Sequence, residues 1–137
     1  RRNYFVFNLD SVERLESRKQ AKGRGVMSIR DELMDEHKEC LADEALREQA
    51  KQALPLAKER YDRARGNADY HAADTAAAGG SESHWTNSGG EDAYVGELVS
   101  RRHYELLKAF VEGQTELGSV GYFIRDDLTK AITKTTA

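Results

Sequence analysis

The sequence predicts a mainly α-helical fold, an irregular helical bundle or a long helical hairpin, with a short N-terminal strand or extended arm. Three observations carry that prediction. Apolar residues recur at spacings of three and four over most of the chain. Ser or Asp stands ahead of several of these stripes with an acidic residue three positions on, the pattern of a capped helix start. Pro55 is the sole proline, so little in the chain interrupts a helix. At 137 residues, one helical domain spanning 1–137 is expected.

Tyr4-Phe5-Val6-Phe7 is the densest aromatic and β-branched cluster, short and flanked by polar residues, and it predicts a strand or extended arm over residues 1–9. Asp10-Ser11-Val12-Glu13 predicts a first helix that stops near Gly23 and Gly25. Ser28-Ile29-Arg30-Asp31 repeats the capping pattern ahead of a long helix. Ile29, Leu33, His37, Cys40 and Leu41 lie on one face of it, and Leu46, Ala50 and Ala53 continue a drifting stripe.

A proline inside a helix removes a hydrogen bond and clashes with the preceding turn, so a kink or a new helix start is expected at Pro55. Leu54, Ala57, Tyr61, Ala64, Ala68 and Ala72 form the next stripe, of mostly small residues that permit close helix approach. Residues 76–90 shift to Ala, Gly, Ser, Thr and Asn without helical period, which predicts a flexible loop. Ser88-Gly89-Gly90-Glu91 closes that loop as a further capping pattern. From about Asp92 to Gly113 an amphipathic helix is expected to turn Val95, Val99, His103, Leu106 and Phe110 toward the core, widened by Leu98, Leu107 and Val111. Val120 to Ile132 reads as a final helix, or as a short strand and then a helix, with Lys130–Ala137 fraying.

Composition narrows the function classes. Lys and Arg number 21 against 24 Asp and Glu, a net charge of −3, so a general polyanion binder is not expected. The basic residues Arg14, Arg18, Lys19, Lys22, Arg24, Arg101 and Arg102 are interspersed with acids, the pattern of a solvated helix surface. Much of the 39% apolar fraction is alanine, which predicts a thin core and a subunit that completes its burial against a partner. No apolar run reaches the roughly 20 residues of a membrane span. A single cysteine permits no internal disulfide, so an intracellular, soluble protein of the cytoplasm or an organelle matrix is expected. Arg1-Arg2-Asn3 in place of an initial Met suggests a processed or trimmed start.

The candidate chemistry is sparse. His37 and Cys40 share a helix face with Glu36, Glu39 and Glu44 nearby, but a structural zinc site draws four ligands and no second cysteine exists. They are metal candidates only, and core packing outweighs that role. None of His37, His71, His84 or His103 follows a Glu by three residues, as a carboxylate-bridged di-iron bundle needs. His103 lies on an apolar stripe and reads as a core histidine. Cys40 is the one nominee for a nucleophile, and helical cysteines are among the most buried residues. The glycine pairs lack the Gly-Lys-Ser/Thr ending of a phosphate loop. No cofactor is expected.

Contact surfaces are the remaining signal. Tyr4, Phe5 and Phe7 need an edge to pair with, and Tyr122-Phe123-Ile124 is the internal candidate; strand addition to another chain is the alternative. Trp85, alone of its kind, sits in a Gly-bounded polar stretch, either as an interface anchor or as a lid over the core. The expected function is a non-catalytic accessory or structural subunit of a larger assembly, touching other protein subunits through Tyr4, Phe5, Phe7, Trp85, Tyr122 and Phe123. A small metal-binding protein or enzyme centred on His37, Cys40 and His103, and a nucleic-acid-binding accessory using the basic first helix, are the alternatives.

Overall fold

The computed structural model describes residues 28–115, 118 and 120–137. Helices α1 (Ile29–Ala42), α2 (Glu44–Ala77), α3 (Glu82–Asn87), α4 (Gly90–Val111) and α5 (Arg125–Thr136) account for the regular structure among them, and the fold is mainly α. The Tyr4–Phe7 arm and the helix expected from Asp10 lie outside the described residues.

α1 starts where the capping pattern places it: the Asp31 amide donates to Ser28 Oγ at 3.2 Å. The helix does not continue into the Leu46–Ala53 stripe as expected. Asp43 turns to an extended conformation and its carboxylate accepts from the Leu46 amide at 3.0 Å, so α2 is a separate helix with its own cap. Arg47 strengthens the corner by donating to the Leu41 carbonyl at 2.9 Å.

Of the two outcomes expected at Pro55, a new helix start is not found, because α2 carries the proline in its interior. The missing bond would run to the Lys51 carbonyl, and both Pro55 and Lys51 are exposed, so water can take the orphaned acceptor. Pro55→Ala restores that bond at a site with no packing to lose. It is expected to stabilise the fold by up to about 3 kcal/mol, read as a higher midpoint in urea unfolding; a lower midpoint contradicts this account.

α2 and α4 form an antiparallel hairpin. Arg47 lies 6.0 Å from the Phe110 ring centre, Tyr61 and Tyr104 stack at 6.0 Å, and Asp74 meets His84 at 2.7 Å, so α2 numbers rise as those of the opposing strand of the hairpin fall. At about 1.5 Å per residue α2 is roughly 50 Å long and α4 roughly 33 Å. The 76–90 stretch expected to be a loop is largely helical: α2 runs to Ala77, turns through Gly79 and Gly80 at positive φ, and α3 occupies Glu82–Asn87.

The start of α4 also departs from its expected cap. Ser88 Oγ donates back to the Trp85 carbonyl, closing α3, and the cap position falls to Gly89 in the left-handed region without a side-chain bond. Gly90 then passes under the Trp85 ring, where a Cβ would lie 2.3 Å from Cε3.

Past α4, Val120 stands in a turn closed by the Gly121 amide on the Gly118 carbonyl, Gly121 takes positive φ, and Tyr122–Ile124 lead into α5, with no strand among the described residues. The expected fraying of Lys130–Ala137 is not seen: helix continues to Thr136, because Leu128, Ala131 and Thr135 recur on its buried face. The main core joins Cys40, Leu46, Ala50, Ala53 and Ala57 to Leu106, Leu107, Phe110, Val120, Phe123, Leu128 and Ala131. Leu33, Tyr122 and Ile124 form a second cluster with Ile29 and Met34. Among the described residues every fully buried large side chain lies at this end of the hairpin, and the far end buries only Ala68, Gly90 and Ala93.

Candidate functional site

The extended segment before α5 poses a local problem, because a buried strand without a neighbour leaves its amides unpaired. Side chains of α1 solve it. The Phe123 amide donates to His37 Nδ1 at 2.8 Å, and two residues on, the Arg125 amide donates to Glu36 Oε2 at 3.0 Å. Alternate residues of an extended chain point the same way, and the adjacent side chains Glu36 and His37 receive them.

Accepting at Nδ1 places the imidazole proton on Nε2 and makes neutral His37 the matching form. The ring stacks on Phe123 at 4.6 Å and meets the Tyr122 edge at 6.2 Å. Burial pushes the His37 pKa below its ordinary value, with the Thr115 backbone working the other way. Tyr122 and Phe123 therefore belong to the core of this chain and are buried, a correction to their expected role as contact residues.

Cys40 is fully buried in the main cluster. Burial pushes its thiol up to about 12, with Arg125 opposing and Glu36, Glu39 and Asp43 adding to the rise. A thiol held so far from ionisation is a poor nucleophile and metal ligand. Asp43 uses both oxygens nearby: one caps Leu46, the other takes the Arg125 guanidinium at 2.7 Å, and these donors hold its carboxyl below the usual range. The pair ties the α1–α2 corner to the start of α5.

His103 sits elsewhere, half-buried on α4. Its pKa is lowered by burial and then by Arg60, Arg102, Lys134 and Lys130. Asp127 faces Arg102 in this region, and burial raises its carboxyl while Arg102 opposes the rise. Among the described residues no group of three or more His, Cys, Asp or Glu side chains is arranged to hold a metal ion. His37, Cys40 and His103 each have a packing environment of their own.

At the hairpin tip Trp85 is half-buried against Gly90, and His84 Nε2 lies 2.7 Å from Asp74. The tryptophan thus covers its own chain in part. An open groove of about 300 Å³ lies toward the other end, lined by Tyr61 and Tyr104, and Lys58 and Lys108 both stand about 6 Å from the centre of the Tyr104 ring.

The feature that sequence reading missed is the outward face of the hairpin. Val95 and Val99, expected in the core, are 51% and 47% exposed, and Tyr94, Leu56 and Tyr70 join them. Ala93 is buried and Gly90 lies against Trp85, while Gly96 has open space where a side chain would stand. Val95 and Val99 share one helix stripe with Leu106 and Phe110, which are buried, so the stripe is covered along its second half and left half-exposed at its start. Comparison of the chain with protein-family models, curated proteins and solved structures found no match.

Proposed function

We propose that this chain is a non-catalytic helical accessory or structural subunit of a larger protein assembly and works through protein–protein contacts. The observation that supports the reading most is the distribution of apolar side chains along the hairpin. One end packs a core of Phe, Leu and Ile, while the other holds its helices together with Gly and Ala and turns Tyr70, Tyr94, Val95 and Val99 outward. Large apolar side chains left exposed on both helices are available for contact with a partner. The nominated chemical groups support it as well: His37 anchors the Phe123 backbone and Cys40 is sealed in the core.

Among the described residues no helix is long and apolar enough to cross a membrane, so the contacts proposed are with protein. Mild purification from the native source followed by mass measurement tests the proposal. The chain is expected to elute within a defined complex, and Val95→Glu with Val99→Glu is expected to release it while its helical content stays unchanged. Elution as a lone chain, with stability independent of concentration, counts against it.

A further inference from the structure

α1 is joined to the other described helices in two unlike ways. At its C-terminal end Cys40 is fully buried in the main core and Leu41 packs beside it. The corner that follows is bound from three sides, by Asp43 on the Leu46 amide, by Arg47 on the Leu41 carbonyl and by Arg125 on Asp43. Before Cys40 the attachment is smaller. Ile29, Leu33 and Met34 meet Tyr122 and Ile124 in the second cluster, and Glu36 and His37 accept the Arg125 and Phe123 amides. A cluster built by one helix and one short segment, apart from the main core, is a unit able to open below the free energy of global unfolding.

The two acceptors at this attachment respond differently to a proton. A carboxyl keeps acceptor capacity when protonated, so Glu36 can hold the Arg125 amide in either form. His37 cannot. Nδ1 is the acceptor of its neutral ring, and protonation turns that atom into a donor facing the Phe123 N–H. The titratable and charged groups around it offer no replacement. Glu36 holds the Arg125 amide, Cys40 is sealed in the core and Tyr122 presents a ring edge at 6.2 Å. Arg125 is a cation bound to Asp43, and Asp127 of α5 faces Arg102; the Thr115 backbone alone favours the charged ring. Glu32, buried with Oε2 unpartnered, gains hydration when this part of α1 leaves. The Leu46 amide and Arg125 hold the Asp43 carboxyl below the usual range, so the corner stays closed where His37 titrates.

We propose that residues 29–37 of α1 form an acid-released flap: protonation of His37 frees them from residues 122–124 while the Asp43 corner and the α2–α4–α5 core stay folded. Opening uncovers Leu33, Tyr122 and Ile124, an apolar surface that is buried when the ring is neutral. The closed form is favoured above the ordinary 6.5 and loses ground as pH falls toward the lower value of the closed state. The opening equilibrium rises by up to about tenfold per pH unit in that window.

Native-state hydrogen exchange of the full chain at about pH 8 and pH 5, corrected for intrinsic exchange and repeated at low urea concentrations, tests it. At pH 5 the amides of residues 33–37 and of Phe123 are expected to exchange about tenfold or more faster than those of residues 106–110. They should respond little to urea, because the opening exposes little surface, whereas the core amides should respond steeply. His37→Gln, which accepts without titrating, is expected to remove the acid-dependent part of α1 exchange. Leu33→Ala weakens the small cluster and should raise α1 exchange already at pH 8, with its weak urea dependence unchanged. One protection level and one urea slope shared by α1 and the core, in the wild type or in Leu33→Ala, overturns the flap. Acid-dependent α1 exchange that persists in His37→Gln overturns the part assigned to His37.

Discussion

Replacing Phe123 with alanine is expected to cost about 3–5 kcal/mol, the largest effect of any single truncation in this fold. The ring is fully buried, stacks on His37 at 4.6 Å and meets the Phe110 ring edge-on at 5.4 Å. It stands between the two apolar clusters, in the main one itself and between Tyr122 and Ile124 of the other. Much of the surrounding core is alanine, which cannot move in to fill the space, so the cavity term is added nearly whole. The stacked His37 would also lose cover on one face. Against a total stability of about 5–15 kcal/mol for a domain, such a loss leaves little reserve. Urea unfolding followed by helical circular dichroism measures it. Tyr70→Ala, at a side chain 65% exposed, serves as the control and should change stability by no more than about 0.5 kcal/mol. Equal effects at the two sites would refute the core assignment.

The contrast between these sites shows which parts of the fold could be read from sequence. Local information sufficed for the Ser28 cap, for the existence of the long helices and for the Leu106–Phe110 face, since each depends on residues within one or two turns. The break at Asp43 was also written locally. Leu41 and Leu46 stand five apart, out of step with a helix face, and an Asp lies between them with an amide three residues on to accept from. Apolar residues resume soon after it, so the stripe by itself does not mark the break.

Two other features needed information that no local window holds. Tyr122-Phe123-Ile124 has strand composition, and strand composition implies a paired neighbour; here the amides go to side chains 86 and 89 positions away in sequence. Val95 and Val99 lie on the same helix stripe as Leu106 and Phe110. Hydrophobic patterning alone favours burying the whole stripe. The rest of the chain buries its second half and leaves the first half-exposed, and how far along α4 the later segments reach is not written in any local window. The functional reading changes with this outcome, because part of a face expected to be core becomes surface, and two residues expected at the surface become core.

Acidification is expected to destabilise the protein as pH falls through about 6.5, and His37 is the main cause to test. In the folded state its Nδ1 accepts the Phe123 amide, so a proton there would leave that buried donor facing another donor. Burial holds the folded pKa below the ordinary 6.5. Between the two values the unfolded chain binds a proton that the folded chain refuses, and stability falls by up to about 1.4 kcal/mol per pH unit for each such histidine. The stability is fully present above the unfolded value and is lost as pH falls toward the folded one. His103 contributes with the same sign, because burial and four neighbouring cations lower it too. Asp127 has the opposite sign, since its raised carboxyl favours the folded state as it protonates, and its window lies lower, around and above the ordinary 3.8. His37→Gln keeps an oxygen able to accept from the Phe123 amide but cannot titrate. It should flatten the fall in urea midpoint between about pH 7 and 5, and His37→Gln with His103→Gln should remove most of it. At about pH 8, where both histidines are neutral, the single variant should show only the cost of the lost ring stacking, about 1–3 kcal/mol. An unchanged slope in His37→Gln would mean that the Phe123 amide does not depend on the neutral ring, and the clamp between α1 and the extended segment would have to be explained by Glu36 alone.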